Sequence, residues 1–80
     1  MRPPTLKVLS DYALRQLALG ELRVFVERID WDDPSIPEDE RRVLLRVRSY
    51  LIGIDEGLDD EADLQADLLQ HIQPVLTGPP

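Results

Sequence analysis

The sequence predicts an all-α fold, a small three-helix bundle. The prediction rests on apolar residues recurring at three- and four-residue spacings, a capping signal before the central segment, and prolines that bracket the whole helix-compatible region. Eighty residues make one domain, 1–80, with Pro-rich tails expected to fray at about 1–5 and 77–80.

The first helix is expected from Ser10 to Ile29, with the Ser10 hydroxyl as N-cap. Leu14, Ala18, Leu22, Phe25 and Ile29 fall on one face of such a helix. Gly20 interrupts it, and Leu22 to Val26 alternates and is β-branched. The rival reading is therefore an α+β fold with short strands at 5–9 and 22–29 packed on two helices.

The second helix carries the clearest signal. Ser35-Ile36-Pro37-Glu38 matches a capping box, and Val43, Leu44, Val47, Tyr50, Leu51 and Ile54 form a broad apolar face. Gly53 and Gly57 stand near its expected end. The third helix is expected to open at Asp59 or Asp60, to bury Ala62, Leu64, Leu68, Leu69, Ile72 and Leu76, and to end or kink near Gln73 because of Pro74. Short connections make the second and third helices antiparallel. Val8, Leu9, Leu19, Val24, Val26, Leu45 and Ile52 lie beside or outside these faces, an apolar excess that would suit an interface.

Charge is the main functional signal. The chain has sixteen acidic and nine basic residues, a net charge of −7. All of the surplus follows Ile54: Asp55, Glu56, Asp59, Asp60, Glu61, Asp63 and Asp67 have no Lys or Arg after them or among them. Part of this is helix-start chemistry, because acids favour the positive end of a helix dipole. Glu56, Asp60, Asp63 and Asp67, at spacings of four, three and four, would also line one edge of the third helix as a surface for a basic partner. Trp31, among Asp30, Asp32 and Asp33, is a candidate anchor, either for an interface or for the open end of the bundle.

Other function classes find little support. The only His is His71 and there is no Cys, so neither a disulfide nor a soft metal site nor a Cys–His nucleophile is expected. A calcium loop laid on Ile52 to Asp63 puts isoleucines at its first and third ligand positions, and so no metal or other cofactor is expected. Ser10, Ser35 and Ser49 fit no nucleophile elbow, there is no glycine-rich phosphate loop, and the reading is not an enzyme and binds no small-molecule substrate. The acidic balance argues against direct nucleic-acid binding, and no apolar run approaches the roughly 18 residues of a membrane span. The N-terminus does not read as a secretory signal, which makes cytoplasmic the expected location. The expectation is a small regulatory or inhibitory protein-binding domain, in the style of antitoxins, immunity proteins and phage inhibitors, that docks an acidic helix face on a basic protein surface. The alternative is a structural homodimer or assembly subunit that uses apolar helix faces, with the acids serving solubility.

Overall fold

The computed structural model describes the backbone of residues 1–77 and the side chains of 1–72. Among these residues the fold is all-helical, with four helices rather than three: α1 (Pro3–Ala13), α2 (Leu19–Glu27), α3 (Glu38–Asp55) and α4 (Glu61–Thr77). Among the described residues there is no strand; 5–9 lies in α1 and 22–29 is α2 and the turn after it.

The extra helix arises from a break in the expected first one. Pro3 and Pro4 open α1 instead of ending a tail, because the first helical amides have no partner to lose, and the constraint Pro3 places on Arg2 holds that residue extended at the N-cap. Ser10 is thus a buried residue inside α1, where its hydroxyl donates to the Lys7 carbonyl at 3.1 Å, and not a cap. The helix stops at Ala13 because Arg15 takes a left-handed conformation, φ +63°. The Arg15 amide then donates to the Tyr12 carbonyl at 3.0 Å and the Gln16 amide to that of Asp11 at 2.7 Å. This is the pairing of a Schellman turn, built here on an arginine at a strain of about 1 kcal/mol. α3 ends in the same pairing on a glycine. Gly57, φ +75°, donates to Ile54 at 3.1 Å and Leu58 to Gly53 at 2.8 Å.

α3 does not start from the expected capping box. Both the amide and the hydroxyl of Ser35 donate to Asp33 Oδ1, at 2.9 and 2.7 Å, and the N-cap is Pro37, whose carbonyl accepts the Arg41 amide at 2.9 Å. Glu38, Asp39 and Glu40 fill the first turn of α3, where the dipole favours them. Pro74 does not end α4, which continues to Thr77; Leu76 lies outside the residues with described side chains, and 78–80 of the expected C-terminal tail lie outside the described backbone.

Leu9, Tyr12, Leu22, Val26, Leu44, Val47, Leu51, Leu64, Leu68 and Ile72 form one core to which all four helices contribute. α4 packs between α1 and α3, and α2 bridges α1 and α3. α3 and α4 run antiparallel, with Arg46 beside Asp67 and Val43 near His71. Leu9 and Val26, expected outside the core, are inside it, whereas Leu14, Ala18, Ala62 and Leu69 are exposed. No described helix is long and apolar enough to cross a membrane.

One ion pair fastens the start of α1 to α3. The Glu40 side chain is fully buried and takes two hydrogen bonds from Arg2, from its amide at 2.8 Å and from Nε at 2.7 Å, with Nη2 in ion-pair contact at 2.5 Å. Burial pushes the Glu40 carboxyl up, but the Arg2 hydrogen bonds outweigh it and hold the group below its ordinary value.

Candidate functional site

The four aligned carboxylates expected on one helix edge are divided by the fold. Glu56 is the C-cap of α3, and Asp60 precedes α4, its carbonyl accepting the amides of Asp63 at 3.1 Å and Leu64 at 3.3 Å. Only Asp63 and Asp67 belong to α4. The helical spacing across these four positions is therefore accidental, because Gly57 turns the chain between the first and the second.

Asp67 has an internal role. Its carboxylate receives Arg46 Nε at 2.5 Å and Nη2 at 2.8 Å, a bidentate pair in which the Asp67 side chain keeps only 11 % of its exposure. His71 Nδ1 donates to the Asp67 carbonyl at 2.8 Å, one turn earlier on α4. The hydrogen bond to Asp67 raises the pKa of the Arg46 guanidinium. Glu61 is also engaged, accepting the buried Tyr12 hydroxyl at 3.0 Å; burial and then this bond push the Tyr12 phenol up.

Glu56, Asp60 and Asp63 remain exposed, and among the described residues none of them has an ion-pair partner. They surround Leu58 in sequence, and Leu58 is 76 % exposed, the most exposed large apolar residue described. In a Schellman turn the residue at this position ordinarily packs on a side chain one turn back in the helix. Here the corresponding residue is Gly53, which has no side chain. Any Cβ at Gly53 would collide with the Asp59 carboxylate, which occupies that space while its amide donates to the Gly53 carbonyl at 3.2 Å. Gly53 thus admits Asp59 and leaves Leu58 uncovered.

Trp31 lies elsewhere, in the α2–α3 connection. It is half-buried, with the Arg48 guanidinium 5.5 Å from its ring centroid, and its carbonyl accepts Arg41 Nη1 at 2.5 Å. Arg41 Nη2 also holds the Asp33 carbonyl at 3.1 Å, so one arginine fixes the loop at two points. Asp30 and Asp33 accept from the amides of Asp32 and Ser35, at 3.1 and 2.9 Å, and shape the same loop. The hydrogen bonds from Ser35 lower the Asp33 pKa. Trp31 shares a groove of about 370 Å³ between α2 and α3 with Arg23, Arg48, Ile52 and Asp55; the Arg23–Asp55 pair, at 2.5 Å, spans it. The structure does not join Trp31 to Asp60, Asp63 or Asp67 in one site.

Leu58 is the residue that sequence reasoning missed. Its signal was present in the pair Gly53 and Gly57: a glycine at the left-handed position together with one at the packing position leaves the leucine that follows them, Leu58, without its usual cover. Among the described residues no three potential metal ligands gather. No protein-family model matches the chain, and neither the curated proteins nor the solved structures show a significant match to it.

Proposed function

We propose that this chain is a small protein-binding domain, regulatory or inhibitory in style, that docks its α3–α4 turn on a basic surface of a target protein. The observation that carries the reading is Leu58, 76 % exposed between carboxylates that have no ion-pair partner among the described residues. An apolar centre within a charged rim has the composition of a binding surface. The carboxylates act chiefly on encounter, raising the association rate with a cationic face, while Leu58 supplies apolar area that excludes water. Asp67 stands outside the docking set because Arg46 holds it, and Trp31 serves the α2–α3 loop.

The test is capture of a target from the host by the wild-type domain and by a Leu58→Ser/Asp60→Asn/Asp63→Asn variant. The reading expects the wild type to retain a basic protein that elutes as salt rises, and the variant to lose it. Equal capture and equal salt elution by the two would overturn the proposal.

A further inference from the structure

One line of α3 lies outside the core and meets the acidic turn only at its last residue, Glu56. Arg42, Leu45, Ser49, Ile52 and Glu56 follow one another at spacings of three, four, three and four, so they share a face. Every one of them is exposed, and this face is opposed to the buried Leu44, Val47 and Leu51. Leu45 and Ile52 are 45 % and 50 % exposed, two of the few large apolar side chains left to solvent. The line reads cation, apolar, small, apolar, anion, and its reverse is its own complement.

We infer that this face of α3 docks against the same face of a second copy, antiparallel and about a two-fold axis beside Ser49. In that arrangement Leu45 meets Ile52 of the second copy, Arg42 meets its Glu56, and the two Ser49 residues lie at the crossing point, where a small side chain lets the helices approach. A two-fold contact requires a self-complementary patch, and this line is one. The charges beside it are already held: Arg46 by Asp67 and Arg48 over Trp31, so neither stands unpaired in the seam. Among the described residues Arg42 is engaged only by Glu38, in a fully solvated pair with 77 % and 79 % of the two side chains exposed, and such a pair yields readily to another carboxylate. The whole-chain charge of −7 sets copies against one another, and the line itself, with one cation and one anion, offers an approach without that repulsion. The inference is separable from the acidic-turn proposal, since Leu58, Asp60 and Asp63 follow the end of the line and take no part in the contact; only Glu56, its last residue, is shared with that turn.

The absence of Cys makes the test direct, because any introduced cysteine is the only one. Sedimentation equilibrium of the wild type, up to about 1 mM because a single helix pair lies at the weak end of specific interfaces, is expected to show a dimer. Ile52→Glu, and independently Leu45→Glu, are expected to sediment as monomers with unchanged far-ultraviolet circular dichroism; either exposed position suffices should the other variant fold poorly. Under mild oxidation Ser49→Cys is expected to form a covalent dimer roughly tenfold or more faster than a Gln70→Cys control on α4, because the two-fold holds its thiols together. A wild type that is monomeric throughout, a folded Ile52→Glu or Leu45→Glu variant that still dimerises, or equal oxidation of the two cysteine variants would overturn the inference.

Discussion

The two ends of α3 are both acidic, and they use their charge in opposite ways. At the N-terminal end Glu38 faces Arg42 at 2.9 Å, Asp39 faces the Met1 amino group at 3.3 Å, and Glu40 is buried against Arg2. At the C-terminal end Asp55 is paired with Arg23, but beyond it Glu56, Asp60 and Asp63 project into solvent around an uncovered leucine. The difference lies in where the basic residues fall along the chain. All nine precede Ser49, so the N-terminal half can neutralise its own acids while the α3–α4 turn depends on what folds back to it. Among the described residues, Arg23 reaches Asp55 and Arg46 reaches Asp67 that way, and no basic side chain reaches Glu56, Asp60 or Asp63. Charge at one end of α3 holds the fold together; at the other it forms a surface.

The largest expected effect comes from stranding the buried carboxylate. Arg2→Ala strips the guanidinium from Glu40, leaving it, of its contacts with residue 2, only the main-chain amide, and is expected to cost about 3 kcal/mol in urea unfolding, the lower end for a broken buried pair because Arg2 itself is 41 % exposed and its amide remains. Loss of less than about 1 kcal/mol would mean that Glu40 relaxes to solvent and that the two ends of α3 do not differ as described.

Acid titration sharpens the same contrast. The folded-state pKa of Glu40 is lowered, so its contribution is fully present above the unfolded-state value, about 4.3, and is lost as the pH falls through the lower folded-state value. Glu40→Gln is expected to cost about 1–2 kcal/mol near neutrality, with the deficit shrinking below about pH 4 as the wild type weakens. Asp33 and Asp39, also lowered, preserve a shallower slope of the same sign in the variant. Unfolding midpoints of the two proteins across the acid range measure this, and a constant gap between them would contradict it.

A smaller effect is expected at the paired but more open site. Arg46→Ala removes a bidentate contact whose arginine is 53 % exposed, and should cost about 1 kcal/mol or less in thermal or urea unfolding. A loss comparable to that of Arg2→Ala would place Asp67 with Glu40 as a structural anchor.

Much of α3 and α4 was legible because single residues mark them: the apolar face of α3, the left-handed Gly57, and Asp60 just before α4. The N-terminal half was not, for two physical reasons. The apolar spacing from Leu14 to Ile29 suits an unbroken helix, but Arg15 accepts a left-handed backbone that residue type alone does not announce, and Leu14 and Ala18 consequently point to solvent. Ser35 satisfies the capping pattern in sequence, but Asp33 reaches its amide and hydroxyl first. In the site, the acidic surplus was readable from composition, whereas its division was not. The separation of Asp67 from Glu56, Asp60 and Asp63 depends on Arg46 lying opposite on an antiparallel helix, a tertiary fact.

The most direct measurement is urea unfolding, at neutral pH, of the wild type beside a Glu56→Gln/Asp60→Asn/Asp63→Asn variant. Asn caps a helix about as well as Asp, and removing a negative charge from the C-terminal end of α3 offsets removing one from the first turn of α4. The two proteins are therefore expected to agree within about 0.5 kcal/mol. A loss approaching that of Arg2→Ala would show that these carboxylates maintain the fold, and would contradict their assignment as a surface held for a partner.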